Sequence, residues 1–256
     1  MASKSMNKWA LVTGATAGIG YEFCELLASK KHNLVLVARN EQRLKEIAKE
    51  LKKKHNIKCE VLVADLSKKK DLELVAKRIS EDKNRIEVLI NNAGFSVNQS
   101  ISNGNYAAEK SMLDVLVTAV LRLSHAAAAQ MRKNAGGDIV IVSSVASFVA
   151  SGTYSSAKAW ATNFAESLAE EVNKYGVRVS ALCPGFTHTE FHARADFDKT
   201  EIPSWLWLDA KYVVKTGWED HKKGKVISIP SLRYKLFVIF SKYVPRQLIR
   251  KVRRKK

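Results

Sequence analysis

Six apolar runs of strand length recur along the chain: Trp9–Thr13, Asn33–Ala38, Cys59–Ala64, Ile86–Ile90, Asp138–Ser143 and Val177–Cys183. Between them lie segments such as Tyr21–Lys30, Glu41–Lys54 and Lys68–Ser80, whose apolar residues return at helical spacing. A chain that alternates strand and helix must cross over after each strand, so neighbouring strands run parallel and helices cover both faces of the sheet. The pattern predicts a doubly wound α/β sandwich of three layers with a mostly parallel sheet of six strands, or seven if Lys225–Ile229 joins it. No internal repeat, low-complexity linker or shift of composition marks a boundary, so residues 1–256 are expected to form a single domain.

With 46% hydrophobic residues in 256, the chain has ample material for a core. Its net charge of +18 would suit a nucleic-acid binder if it were spread over the surface. It is concentrated instead: residues 221–256 carry 13 Lys and Arg and no acid, leaving 30 cations against 25 acids in residues 1–220. The most basic stretch, Arg246–Lys256, also lacks interleaved aromatics, and the chain shows no recognition fold, which argues against a nucleic-acid role. Cys24, Cys59 and Cys183 show no CxxC spacing and read as reduced, buried thiols. Neither a run of about 18 apolar residues nor a signal-peptide core at Met1–Lys8 is visible, so a cytoplasmic location is expected.

Chemistry enters where the first strand ends. Thr13-Gly14-Ala-Thr-Ala-Gly18-Ile19-Gly20 lies between a strand and a helix. Glycines there allow a tight turn and bring backbone amides, with the helix N-terminus, against a pyrophosphate. The second strand ends in Ala38-Arg39-Asn40, with no acid for a free ribose hydroxyl. Arg39 either caps an exposed turn or meets the 2′-phosphate of NADP(H). Further on, Tyr154 and Lys158 are four apart on a helical pattern, so phenol and ammonium share one face. A lysine cation beside a tyrosine favours the phenolate, and such a pair is expected to act as a general acid/base.

In this order and spacing the motifs resemble the short-chain dehydrogenase/reductase family, with a Rossmann-type fold, from about Lys8 to Pro230. The landmarks are Thr13–Gly20, Asp65-Leu66, Asn91-Asn92-Ala93-Gly94, Ser143-Ser144, Tyr154-x-x-x-Lys158 and Pro184-Gly185-Phe186-Thr187. The stretches Val37–Asn40 and Cys183–Glu190 are most similar to the NADP-preferring, ketone-reducing branch. The resemblance implies that Asp65 bonds the adenine amine, that Asn91 and Gly94 line the adenosine ribose, and that Thr187 holds the nicotinamide carboxamide. Ile19, Leu66, Pro184 and Gly185 are expected along the cofactor. Tyr154 would protonate the substrate oxygen, Ser144 would hydrogen-bond it, and Lys158 would bind the nicotinamide ribose and lower the tyrosine pKa. A homodimer or homotetramer built on the helices Ser111–Met131 and Tyr154–Tyr175 is implied as well.

Two departures stand out. Leu116 occupies the place of an asparagine that in the family helps hold a proton-relaying water, and Ser144 precedes Tyr154 by 10 residues where about 13 is common. A cofactor-binding sensor or interaction protein with vestigial catalysis is therefore the alternative to an NADP(H)-dependent carbonyl or alcohol oxidoreductase. Residues 186–222 fall where the family places its substrate lid. Phe186, Phe191, Phe197, Ile202, Trp205, Leu206, Trp207 and Leu208 give it a bulky apolar character, which suits either an apolar substrate or packing of the lid itself. His188 and His192 have helical ligand spacing but no third ligand nearby, so no metal is expected. The basic helix and tail at 231–256 reads as a solvated end or as a contact with acidic membrane.

Overall fold

The computed structural model describes residues 8–97, 99–191 and 202–243. Strands β1 (Trp9–Thr13), β2 (Asn33–Ala38), β3 (Cys59–Val63), β4 (Ile86–Asn91), β5 (Gly137–Val142), β6 (Val177–Leu182) and β7 (Ile227–Ser228) form one sheet in the order β3-β2-β1-β4-β5-β6-β7. Every neighbouring pair is parallel. The anticipated seventh strand is present but shrinks to two residues, paired through Ala181–Ile227 and Leu182–Ser228.

Around the sheet lie α1 (Gly18–Ser29), α2 (Glu41–His55), α3 (Lys69–Ile79), α4 (Tyr106–Leu113), α5 (Val120–Lys133), α6 (Gly152–Val172), α7 (Ala210–Lys222) and α8 (Leu232–Tyr243). Strand periodicity sorts the core into two halves. Leu11, Val35 and Val37 face α3, α5 and α6, where Val75, Leu123 and Ala165 are buried. Ala10, Val12, Leu34 and Leu36 face the other way, against Phe23 and Leu27 of α1, Ile47 of α2 and Trp218 of α7. Because both faces are covered, the strands read as continuous apolar runs rather than alternating ones.

Side chains set several helix starts. Asn40 accepts from the Arg43 amide at 2.9 Å, Asn105 from Ala108 at 3.2 Å and Asp209 from Tyr212 at 2.8 Å. A π-helical turn, Asp114–Ala119, joins α4 to α5 and makes Tyr106–Lys133 a continuous 28-residue helix. By length and composition this helix is apolar enough to cross a membrane, against the expectation that no segment would be. Scattered charges such as Lys110, Asp114 and Arg122 hide it in the sequence. Half of its most apolar window is buried inside the protein, as in a core helix.

The chain leaves β1 toward β2 on one side, while β4 lies on the other, so a crevice opens at the carboxyl ends of β1 and β4. Its base is stitched by side chains. Thr13 Oγ1 donates to Ile90 O and accepts from the amides of Asn92 and Ala93, while Asn92 Nδ2 donates to Thr13 O and Gly14 O.

Candidate active site

A cleft of about 1130 Å³ occupies this crevice, and most of the anticipated residues line it. Gly14 turns with φ +67°, and a Cβ there would stand 2.8 Å from Asn92 Nδ2. Gly20 does not line the cleft; a Cβ on it would sit 2.1 Å from Gly14 O, so its bareness lets α1 close onto the turn. Helix α1 has no side-chain cap, and Ala17, Gly18 and Ile19 at its start line the cleft. Uncapped amides of a first turn facing a cavity suit an anion, and the glycine cradle leaves room for one, so the residues fit a dinucleotide.

At the rim stand the exposed Arg39 and, one helical turn on, Arg43, which is paired with Glu46 at 3.3 Å. Asp65 accepts from the Ser67 amide at 3.1 Å and from its hydroxyl at 2.8 Å. Partial burial works to raise its carboxyl pKa, but those hydrogen bonds and the charges of Arg39 and Lys68 outweigh it and carry the group below the usual carboxylate range. Leu66 and Gly94 also line the cleft. Asn91, anticipated at the adenosine ribose, turns away: it is buried, and its Nδ2 donates to Ser124 Oγ at 2.9 Å. The following Asn92 lines the cleft instead, because successive side chains leave a strand end on opposite faces. Thr13 likewise serves the stitching beneath the cleft rather than its wall.

Tyr154 and Lys158 project from the first turns of α6, with Lys158 Nζ 5.7 Å from the Tyr154 ring centroid. Nζ donates to Val142 O at 2.7 Å, which anchors the ammonium at the end of β5. Burial pushes the lysine down to about 8, opposed by Cys183. Burial also pushes the Tyr154 phenol up, and a hydrogen bond with Ser144 offsets part of that. The expected lowering of the tyrosine by the lysine is therefore not found in this geometry: desolvation favours the neutral form of both groups.

Ser144 meets the phenol in spite of the short spacing, because a 3₁₀ turn at Val145–Phe148 folds the intervening loop; Ser144 Oγ caps it by accepting from the Ala146 amide at 3.1 Å. Ser143 is a scaffold residue, donating to Lys158 O at 2.9 Å and lying within hydrogen-bond distance of Thr162 Oγ1 at 2.7 Å. Leu116 sits in the π-helical turn, buried against Met112 and Ala157, with its Cδ2 2.8 Å from where a Gly94 Cβ would be.

Pro184, Gly185 and Thr187 form the remaining wall. Thr187 is buried, donates to Gly185 O at 3.0 Å and pairs with Leu208 in an isolated parallel bridge. Of the lid, Phe191 stands 5.7 Å from the Tyr154 ring, and Trp207 packs between Phe186 at 5.6 Å and His188 at 5.0 Å. Residues 192–201, including His192 and Phe197, lie outside the described residues, as do residues 244–256 of the tail. Sequence reasoning missed Asn92, Arg43 and Tyr234. Arg43 could have been found from its i,i+4 spacing to Arg39. Tyr234, whose ring fills the space a Gly185 side chain would need, carries no local signal.

Residues 8–200 match the family described as short chain dehydrogenase. The chain is 30% identical over 194 residues to an uncharacterized oxidoreductase of Staphylococcus saprophyticus, covering 75% of this chain and 83% of that protein. It is similar to the short-chain dehydrogenase from Sphingobium yanoikuyae in complex with NADPH, with TM-score 0.84, 31% identity and 88% of each chain covered. It is also similar to the bulky-bulky ketone specific alcohol dehydrogenase from Comamonas testosteroni, with TM-score 0.79, 30% identity and coverage of 88% of this chain and 86% of that one.

Proposed function

The chain belongs to the short-chain dehydrogenase family, and from that premise we propose that it is an NADP(H)-dependent oxidoreductase acting on a bulky, apolar ketone or aldehyde. The observation that carries this reading is the single cleft in which the uncapped start of α1, the Arg39 rim and the Ser144–Tyr154–Lys158 group meet. The likeness to an NADPH complex and to an alcohol dehydrogenase described as bulky-bulky ketone specific supports it.

When bound, the nicotinamide supplies or takes up the hydride. The amides at Gly18 and Ile19 would hold the pyrophosphate, Arg39 the 2′-phosphate and Asp65 the adenine amine. Thr187, with Pro184 and Gly185, would hold the carboxamide end, and Lys158 the ribose hydroxyls. Ser144 donates a hydrogen bond to the carbonyl oxygen as negative charge develops there. Tyr154 delivers the proton to the same oxygen. Burial keeps that proton on the phenol, so the resting group is an acid. Phe191, which lines the cleft beside the Tyr154 ring, would supply an apolar wall for the substituents.

Screening ketones and aldehydes of graded bulk for oxidation of NADPH and of NADH tests the reading. Turnover of bulky apolar carbonyls with NADPH is the expected result. NADPH binding without turnover on any carbonyl would favour the alternative, a cofactor-binding sensor.

A further inference from the structure

Helix α8 is apolar on the side that faces the protein and on the side that faces away. Tyr234 and Val238 are buried, whereas Leu232, Leu236, Phe237, Ile239 and Phe240 stand out, Leu232 at 71% and Phe240 at 65% exposure. At helical spacing these five cover an arc of about 160°. Trp205, 59% exposed, extends the surface: Arg233 donates to Trp205 O and places its guanidinium 5.8 Å from the indole. Six of the twelve large apolar side chains exposed among the described residues are gathered here. Single exposed apolar residues need no explanation, but a contiguous group marks a contact surface.

Charge identifies what the surface contacts. From residue 221 onward the chain carries 13 cations and no acid, and seven of those cations fall in the 13 residues that follow α8. A second copy docking through α8 would bring two such basic segments together and repel. A bilayer rich in anionic headgroups answers both features, since the apolar side chains reach the acyl boundary while the cations meet phosphate.

We propose that α8 and Trp205 form a docking face for an acidic lipid bilayer. The inner side of the same helix backs onto the cleft at Gly185. Tyr234 Oη donates to Leu206 O at 2.9 Å and accepts from the Phe186 amide at 3.1 Å, with its ring against Gly185. Docking thus holds the Gly185 wall of the cleft close to the lipid surface. The proposal depends on no step of the oxidoreductase reaction.

The test is sedimentation of the full chain with vesicles of phosphatidylcholine alone or mixed with phosphatidylglycerol, beside the variant Leu236→Glu/Phe240→Glu. The unmodified protein is expected to bind the acidic vesicles, less tightly in high salt, and the variant at least about tenfold more weakly with its thermal melt unchanged. Lipids brominated in the acyl chain should quench tryptophan emission in the unmodified protein and much less in Trp205→Phe. If the charged variant does not fold, Phe237→Ser/Phe240→Ser, which adds no charge, takes its place. The proposal is overturned if the unmodified protein ignores acidic vesicles, or if the variants bind equally well, which would leave the basic tail as a purely electrostatic anchor. It is also overturned if light scattering shows the variants splitting an oligomer while vesicle binding is unchanged.

Discussion

Two groups of opposite charge type, the half-buried Tyr154 and the buried Lys158, are both held toward neutrality, and each makes a prediction. Tyr154→Phe removes the proton donor but leaves Lys158 and the glycine turn in place. Turnover should fall by at least about a hundredfold, while NADPH affinity by fluorescence titration stays within about threefold. Lys158 is depressed from 10.5 to about 8, so below that pH the folded protein bears a buried ammonium. The unfolded chain holds that proton up to about 10.4, so stability rises with pH between the two values. Lys158→Met should therefore abolish activity yet raise Tm by about 2–6 °C at pH 7, after the lost bond to Val142 O is set against the relief of desolvation. That gain should shrink as pH climbs from 8 toward 10, as thermal melts across the range would reveal. At the rim, a guanidinium meeting a 2′-phosphate contributes about 1.5–3 kcal/mol. Arg39→Asp should lower NADPH affinity by about ten- to a hundredfold or more while sparing NADH; an unchanged ratio of the two affinities would sink the assignment. Arg43 can share the phosphate only by loosening its pair with Glu46.

At the scale of elements, one polar network ties β5, β6 and α7 together. Asp138 Oδ1 receives Arg178 Nε at 2.7 Å and lies 2.9 Å from His221 Nε2, while His221 Nδ1 is 2.7 Å from Ser180 Oγ. The three residue types are those of a hydrolase triad, but the roles are reversed on the imidazole, and Ser180 is buried away from the cleft. Its work is structural. Burial would raise the Asp138 pKa, but the His221 hydrogen bond and the charges of His221, Lys222 and Arg178 bring it down to about 2. Since the folded value lies below the unfolded one, the stabilisation is complete above about pH 4 and lost as pH falls toward 2. Asp138→Asn should cost about 3–5 kcal/mol in urea unfolding at pH 7, because cations and imidazole are left unpaired. The difference from the unmodified protein should narrow through that acid window. In the α4–α5 helix, Leu116 fills the π-helical turn with apolar volume against Gly94, so any proton path to Lys158 must run elsewhere.

For the molecule as a whole, α5 and α6 carry a few apolar side chains that the fold leaves incompletely covered. Leu121 is exposed, and the half-buried Trp160 and Phe164 stack at 4.9 Å. We expect these helices to pair across a two-fold axis. Light scattering at low micromolar concentration should then show a dimer or a tetramer, and a lone 28.6 kDa species would contradict it. The basic α8 end lies on a separate element, so Leu121→Glu in α5 should reduce assembly without affecting contact with acidic vesicles.

The sequence by itself determined the parallel sheet, its strands to within a residue for six of seven, the glycine turn between β1 and α1 and the shared helical face of Tyr154 and Lys158. Each of these is written locally, in period, glycine placement or i,i+4 spacing. Only the tertiary structure decided what depends on contacts between distant segments. Asn92 rather than Asn91 reaches the cleft because β1 and β4 end side by side there. Ser144 meets Tyr154 because its loop closes in a 3₁₀ turn. The tyrosine is raised rather than lowered because burial, which no sequence spacing records, outweighs the hydrogen bond with Ser144. Tyr234 lies 49 residues beyond Gly185 in the chain, yet its ring takes the space a side chain at Gly185 would occupy. Packing alone joins them.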